Sequence, residues 1–175
     1  MGHIVSCKGV ATDPRKIEAV INWPTPQHQQ DIRAFIGTCS YYRKFVPGYT
    51  ELAKPLPKAA AMGAKFKWTN DCQIAFERLR EVLIQAPILV YPDPAKPYIL
   101  DTDASDMGCG AVLSQLRDEI ERVIAYFSKT FSREKNYCVT RREMLAIVKA
   151  VKNFHPYLYG QKVTVRTDHS SLTWL

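Results

Sequence analysis

PYILDTDASDMGCGAVLSQ, residues 97–115, carries the clearest pattern in the sequence. An apolar run ends in the acidic segment DTDAS, a Gly-Cys-Gly segment follows, and a second apolar run begins at once. This pattern predicts two antiparallel strands, 98–103 and 110–115, joined by a tight turn. Because side chains two residues apart on a strand share a face, Asp101 and Asp103 are expected to point the same way.

Three further elements extend this predicted sheet. The sequence RVIAYF, residues 122–127, is typical of a third strand. A helix with an apolar stripe is predicted from Thr140, and Pro156 and Gly160 are expected to end it. The alternating sequence KVTVRT, residues 162–167, predicts a fourth strand. The order β-β-β-α-β makes the helix a crossover connection, so the fourth strand must run parallel to one of the others.

The first half of the chain predicts a helical unit preceded by a short hairpin. Residues 3–11 read as two short strands around a Cys-Lys-Gly turn. The proline-rich sequence PILVYPDPAK, residues 87–96, marks a domain boundary, which we place after residue 90. Between hairpin and boundary, helical periodicity and capping residues predict four helices, at about 14–22, 29–43, 50–61 and 70–86.

Composition places the chain among intracellular globular proteins. The five cysteines are widely spaced without a CxxC pair, which is typical of reduced thiols. No apolar run approaches the ~20 residues that a membrane span needs. The net charge of +7 permits a polyanionic partner but does not require one.

Three acidic residues stand at the polar ends of predicted elements. Asp103 ends the first strand, Asp168 follows the fourth strand, and Glu143 lies in the first turn of the long helix. If the fourth strand lies beside the first, these carboxylates converge and repel one another unless cations neutralise them. Oxygen ligands at a half-open site select Mg²⁺ or Mn²⁺, and a pair of such ions suits attack on a phosphodiester.

Each of the three acids also has a purely structural interpretation. Glu143 follows Thr140 by three residues, which is the spacing of a capping box. Asp103 could form a turn with Ser105, and Asp168 could cap the short helix predicted to follow it. Taken singly, each structural interpretation is favoured. Taken together, three acids at one edge of a sheet are a less frequent coincidence.

The basic and aromatic sequence YYRKF, residues 41–45, has two interpretations. The side chains of Tyr42, Arg43 and Lys44 could contact a nucleic-acid backbone from a helix end. Alternatively, the helix is amphipathic, its aromatic side chains pack in the interior and its charges are solvated. The residues alone favour the second interpretation.

Six stretches carry a likeness to a known family: YILDTDASDMGCGAVLSQ, VIAYFSKTFS, NYCVTRREMLAIVKAVKNFHPYLYG, VTVRTDHSSLTWL, KFKWTNDCQIAFERLREVLIQAPIL and GHIVSCKGVATDPRKIEAVINWPTPQHQQDIRAFIGTCSYYRKFVP. They resemble, in collinear order, the Pol polyproteins of gypsy-type LTR retrotransposons. The resemblance implies an α+β fold. Residues 1–12 would end the reverse transcriptase palm, 13–90 would form a helical thumb and connecting unit, and 91–175 a C-terminally truncated, mixed-sheet ribonuclease H-like domain.

The resemblance also implies a site and a reaction. Asp103, Glu143 and Asp168 match the catalytic acids that bind two Mg²⁺ or Mn²⁺ ions in the family. The implied reaction is hydrolysis of the RNA strand of an RNA–DNA hybrid, which leaves a 3′-hydroxyl and a 5′-phosphate. The implied partners are this hybrid and the rest of the polyprotein, with fingers and palm upstream and integrase downstream, and no membrane. The implied location is a cytoplasmic retroelement particle or the nucleus.

Nucleic-acid contacts are the third consequence of the resemblance. The thumb helices would grip the hybrid on one side, which favours Tyr42, Arg43 and Lys44 as contacts. Ser105, which follows the acidic strand end, is a further expected contact.

Two departures from the family pattern limit these expectations. The polymerase motif Tyr-x-Asp-Asp is absent, so this chain is not expected to polymerise by itself. The family's fourth carboxylate and fifth strand would lie beyond Leu175, and residues 170–174 are expected to start a further helix. We therefore expect the fourth strand to be a bare edge, and the isolated chain to be marginally stable with weak or no activity. The alternatives are a non-catalytic ribonuclease H-like connection scaffold, against which the intact acid set argues, and a decayed remnant.

Overall fold

The computed structural model describes residues 2–61 and 65–172, which divide into two compact units, Met1–Ile88 and Leu89–Leu175. The division falls within the proline-rich segment that marks the predicted boundary. Among the described residues, no helix combines the length and apolar character needed to cross a lipid bilayer.

The first unit opens with a hairpin and is otherwise helical. Its strands β1 (His3–Ser6) and β2 (Gly9–Thr12) pair in antiparallel fashion. The helices of the described residues are α1 (Pro14–Ile21), α2 (Gln29–Tyr41), α3 (Tyr49–Ala53), α4 (Pro55–Ala59) and α5 (Asn70–Ile84), with one 3₁₀ turn at Arg43–Phe45.

Capping side chains and prolines set the helix boundaries. The Asp13 carboxylate accepts a hydrogen bond from the Arg15 backbone N–H at 3.0 Å and starts α1. The Thr69 hydroxyl accepts the Cys72 backbone N–H at 3.3 Å and starts α5. The single helix predicted at 50–61 is wrong, because Pro55 has no N–H to continue α3 and instead starts α4.

The core of the first unit is built from the apolar faces of these helices. Ile32, Phe35, Phe76 and Leu79 are fully buried. The rings of Phe35 on α2 and Phe76 on α5 have centroids 4.6 Å apart. Helix α5 therefore joins the unit through aromatic packing as well as apolar burial.

The second unit is a four-stranded mixed sheet with one long helix. Its elements are β3 (Tyr98–Ala104), β4 (Gly108–Arg117), β5 (Ile120–Thr130), α6 (Val139–Leu158), β6 (Val163–Thr167) and short 3₁₀ turns at Glu134–Asn136 and Ser170–Leu172. The strand order is β5-β4-β3-β6, with β3 and β6 parallel and the other pairs antiparallel. The predicted β-β-β-α-β arrangement is confirmed. The rest of the helix predicted at 170–174 lies outside the described residues.

Helix α6 crosses the sheet and covers one face of it. Its buried Ala150, Phe154 and Leu158 pack with Leu100 and Leu113 in the core of this unit. The prediction that Pro156 and Gly160 end the helix is right for Gly160, which follows the cap residue Tyr159 with a φ of 71°, and wrong for Pro156, because α6 continues through it to Leu158. Burial of Phe154 and Leu158 on either side of Pro156 outweighs the loss of one hydrogen bond in the last turn.

The turn between β3 and β4 depends on a close backbone approach at Gly108. A Cβ atom at Gly108 would lie 2.6 Å from the Lys129 carbonyl oxygen on β5, whereas one at Gly110 would meet only the Phe127 carbonyl oxygen at 3.8 Å. We expect Gly108→Ala to lower the free energy of unfolding by about 1–3 kcal/mol, because two backbones must separate. Urea denaturation followed by circular dichroism measures this change. Gly110→Ala is the matched control, and an equal loss in both variants would contradict the close-approach explanation.

Candidate metal centre

Three carboxylates from separate elements of the second unit converge at one edge of the sheet. Asp103 is the second-to-last residue of β3, Asp168 directly follows β6, and Glu143 is on α6. Each offers one oxygen atom, and these three atoms lie within 4.8 Å of one another. Asp103 and Asp168 are exposed, whereas Glu143 is buried. The arrangement is a pocket with one deep and two accessible oxygen donors.

The parallel pairing of β3 and β6 brings the two aspartates together. Thr102 on β3 lies beside Thr167 on β6, and the next residue of each chain segment is an acid. Both acids therefore stand at matching ends of neighbouring strands.

Ser105 makes the turn that follows Asp103. Its hydroxyl oxygen accepts the backbone N–H groups of Met107 at 3.1 Å and Gly108 at 3.2 Å. Its own N–H donates to the Gly108 carbonyl at 2.9 Å. The serine thus forms the turn, and Asp103 belongs to the strand. A nucleic-acid contact by Ser105 stays a prediction.

Glu143 is not part of a capping box. Helix α6 begins after Cys138, so Thr140 lies inside the first turn and not at the cap. The Thr140 hydroxyl instead contacts Nε2 of His169 at 2.9 Å. The capping interpretation of Glu143 is therefore wrong, because the cap lies two residues earlier than the sequence spacing indicates.

The carboxylate of Glu143 has one partnered and one unpartnered oxygen. The Ala104 backbone N–H donates a hydrogen bond to it. Its Oε2 is buried and has no hydrogen-bond partner among the described residues. Such an orphaned acceptor is costly unless something binds it, and a divalent cation is a suitable ligand for an all-oxygen donor set. The residues present therefore fit a Mg²⁺ or Mn²⁺ site.

The electrostatics of the centre disfavour three ionised carboxylates. Burial raises the pKa of Glu143, and the negative charges of Asp103 and Asp168 raise it further. The Ala104 hydrogen bond and the nearby His169 act in the opposite direction, with smaller effect. Without a cation, Glu143 is thus held towards its protonated form.

This shift predicts a pH-dependent stability of the metal-free protein. Because the folded-state pKa of Glu143 lies above its ordinary value of 4.5, its contribution to stability is complete below about pH 4.5 and is lost as pH rises through the folded-state pKa. We expect Glu143→Gln to raise the melting temperature in a chelator, by about 2 °C or more at pH 7.5 and by less at pH 4.5. Thermal denaturation of both proteins across this range measures the difference. A Gln variant that is less stable at neutral pH would contradict the electrostatic explanation.

Two further acids that lie near Asp103 along the chain form ion pairs with arginines. Asp106 forms an ion pair with Arg142, and Asp101 forms a bidentate ion pair with Arg166. Within the part of the chain that the structure describes, Asp103, Glu143 and Asp168 form the one acidic or His/Cys-containing group that could hold a metal ion. The arginine partners were not singled out by the sequence pattern, since they lie far from the acids along the chain.

The predicted nucleic-acid contacts of the first unit differ in accessibility. Arg43 and Lys44 are exposed, and the Lys44 ammonium lies 5.3 Å from the centroid of the Phe45 ring. The Tyr42 side chain is fully buried, and its hydroxyl donates to the Gly2 carbonyl at 3.2 Å. The expectation that the Tyr42 side chain contacts nucleic acid is therefore corrected, because the hairpin end covers it.

The family described as the RNase H-like domain found in reverse transcriptase matches residues 68–165, which is more than half of the chain. The chain belongs to this family. The matched RNase H-like segment includes Asp103 and Glu143, and Asp168 lies three residues beyond its end.

Retrotransposon polyproteins are relatives of this RNase H-like chain. It is 37% identical over 176 residues to the retrovirus-related Pol polyprotein from transposon 412 of Drosophila melanogaster. This alignment covers 100% of the chain and 14% of the polyprotein. The Pol polyprotein from transposon 297 of the same species is 40% identical, covering 100% and 16%. The transposon Tf2-3 polyprotein of Schizosaccharomyces pombe is 35% identical, covering 98% and 13%. The predicted relationship to gypsy-type Pol polyproteins is confirmed, and the chain spans about one seventh of these relatives.

Solved structures show the same fold. The foamy viral protease-reverse transcriptase in complex with dsDNA matches with a TM-score of 0.81 at 21% identity, over 99% of this chain and 37% of that one. The same viral protein in complex with an RNA/DNA hybrid matches with a TM-score of 0.80 at 22% identity, over 97% and 23%. The α+β architecture of the RNase H-like chain is thereby confirmed.

Proposed function

We propose that this chain is a reverse transcriptase/ribonuclease H segment of a retroelement Pol polyprotein, and that its three acids hydrolyse the RNA strand of an RNA–DNA hybrid in the full polyprotein. The observation that carries the proposal is the convergence of three carboxylate oxygens within 4.8 Å, in a chain that belongs to the RNase H-like family of reverse transcriptases. A scaffold without chemistry has no need of three mutually repelling acids at one edge.

Asp103, Glu143 and Asp168 would hold two divalent cations, Mg²⁺ or Mn²⁺. When bound, such ions lower the pKa of water and stabilise the charge that develops on the attacked phosphate and the leaving oxygen. The donor chemistry supports the assignment, because carboxylate oxygens suit these hard cations and no thiol or imidazole belongs to the group.

The three carboxylates differ in burial, since one is buried and two are accessible to a substrate. Glu143 is buried and oriented by the Ala104 N–H, so its second oxygen is held inward. Asp103 and Asp168 are exposed at the strand ends, where a phosphodiester can approach. Glu143 on a helix, Asp103 on a strand and Asp168 directly after a strand have limited freedom, which is the preorganisation that catalysis requires.

The proposed partners are an RNA–DNA hybrid and the remainder of a Pol polyprotein, with fingers and palm upstream and integrase downstream. The relatives named as Pol polyproteins and the foamy viral enzyme solved with an RNA/DNA hybrid support this proposal. Arg43 and Lys44 are exposed cations suited to phosphate contacts, and Ser105 adjoins the acidic edge.

The test is substrate selectivity. The reverse transcriptase–ribonuclease H part of the polyprotein, which contains this chain, is incubated in Mg²⁺ with 5′-labelled RNA presented as an RNA–DNA hybrid, as an RNA duplex or as a single strand. The proposal predicts cleavage of the hybrid alone, with products that carry 3′-hydroxyl and 5′-phosphate ends. Binding of the hybrid without any cleavage would support the scaffold alternative, and equal cleavage of all three substrates would contradict ribonuclease H specificity.

A further inference from the structure

We propose that Arg166 is a positioning residue that sets the separation of Asp103 and Asp168 by clamping β6 to β3. This inference rests on the proposed metal-dependent function, and it concerns residues that lie outside the acidic trio. It predicts that the arginine strengthens cation binding although it carries a positive charge.

The clamp is a bidentate ion pair between neighbouring strands. Arg166 and Asp101 are register partners in the parallel pair of β3 and β6. The Arg166 Nε lies 2.5 Å from Asp101 Oδ1, and Nη2 lies 2.7 Å from Oδ2. A planar guanidinium that engages both oxygens of a carboxylate fixes distance and orientation together. Asp101 precedes Asp103 by two residues, and Arg166 precedes Asp168 by two.

The same guanidinium also bonds to β5, the strand at the opposite edge of the sheet. Its Nη2 also donates to Glu121 on β5, at 2.8 Å to Oε1 and 3.0 Å to Oε2. The Glu121 Oε1 in turn accepts the Ser114 hydroxyl on β4 at 2.7 Å. One network therefore connects all four strands through side chains on one face of the sheet.

Strand β6 is held in the sheet from one side only, although the Thr140–His169 contact joins the segment that follows it to α6. In the described part of the chain it pairs with β3 alone, and Thr164, Val165 and Arg166 are exposed. The strand pairing stops at Thr102 and Thr167, one residue before the two acids. The Arg166–Asp101 pair is thus the side-chain contact between these strands nearest to the point where the acids must stay in register.

Two roles for Arg166 make opposite predictions. If its charge alone mattered, then removing a cation near the acidic centre would strengthen the binding of a metal ion. If it positions the strand ends, its removal lets Asp168 move and weakens binding. Residues that orient metal ligands typically change metal affinity by about 10–100-fold when they are substituted.

The experiment is a Mn²⁺ titration of the metal-free full chain, with free ion followed by electron paramagnetic resonance. We expect Arg166→Met to weaken Mn²⁺ binding about tenfold, and Arg166→Lys, which keeps the charge but not the fork, to weaken it in the same direction. The double variant Asp101→Arg with Arg166→Asp can rebuild the pair between the same positions and is expected to recover part of the affinity. Thermal denaturation confirms that each variant is folded, and Arg166→Lys serves if Arg166→Met does not fold.

The outcomes separate this inference from the proposed function. Unchanged or tighter Mn²⁺ binding by Arg166→Met, or parent-like binding by Arg166→Lys, would overturn the positioning role while leaving the metal site intact. If the parent binds Mn²⁺ no better than Asp103→Asn does, both the inference and the proposed metal site are overturned.

Discussion

In the reverse transcriptase–ribonuclease H part of the polyprotein, Asp103→Asn is expected to reduce cleavage of an RNA–DNA hybrid by about 1,000-fold in Mg²⁺, equivalent to ~4 kcal/mol of transition-state stabilisation. The physical reason is that Asp103 supplies one of the three converging oxygens, and an amide replaces an anionic donor with a neutral one. Single-turnover cleavage of labelled RNA in a hybrid measures the effect on the chemical step. The same substitution is expected to leave hybrid binding at physiological salt nearly unchanged.

Asp106→Asn is the matched control for this prediction. Asp106 is also an exposed acid in the same segment, but it pairs with Arg142 and is not a member of the converging group. We expect its substitution to change the cleavage rate by no more than a few-fold. A comparable loss of cleavage in the Asp106 variant, or full activity in the Asp103 variant, would contradict the assignment of the three acids.

Leu100→Ala is expected to lower the free energy of unfolding of the second unit by about 3 kcal/mol. Leu100 is fully buried on β3, one residue from Asp101, and packs in the cluster formed by the sheet and α6. Its truncation removes apolar burial and leaves a cavity that a closely packed sheet and helix cannot fill. Guanidinium denaturation, followed by hydrogen exchange of the β3 and β4 amides, assigns the loss to this unit.

Val165→Ala provides the internal comparison. Val165 is the register partner of Leu100 on β6, and it is 42% exposed. We expect its truncation to cost less than about 1 kcal/mol, because little apolar surface is returned to water. Equal destabilisation at both positions would contradict the observed difference in burial between Leu100 and Val165.

The topology of the second unit was accessible from the sequence because its signals are local. A continuous apolar run at 98–100 and an alternating pattern at 162–167 indicate strands, and the intervening helix restricts β6 to a parallel position. That restriction places the ends of β3 and β6 side by side, so Asp103 and Asp168 are expected together before any coordinates are known.

Contacts between side chains that lie far apart along the chain could not be predicted from local sequence signals. The amphipathic interpretation of residues 41–45 predicts the burial of the Tyr42 side chain, but it does not reveal that the Tyr42 hydroxyl meets Gly2, 40 residues away. The Arg166 contacts with Asp101 and Glu121 span 65 and 45 residues. Sequence spacing carries no information about which exposed arginine meets which exposed acid.

The predicted helix ends differ from the observed ones where a tertiary contact competes with a local signal. Thr140 is a favourable cap residue, yet α6 starts at Val139 and the threonine hydroxyl contacts His169. Pro156 is a helix breaker by intrinsic propensity, but the buried Leu158 extends the helix beyond it. In both cases a tertiary contact overrides the local preference.

Iron-directed cleavage of the protein backbone tests most directly whether the three acids surround one cation. Fe²⁺ is added to the metal-free chain in place of Mg²⁺. Ascorbate with peroxide then generates hydroxyl radicals that cut the polypeptide close to the bound ion. The account predicts cuts near residues 103, 143 and 168 together, suppressed by excess Mg²⁺ and absent in Asp103→Asn. Cuts confined to one of these segments, or a pattern unchanged by Asp103→Asn, would contradict a shared metal centre.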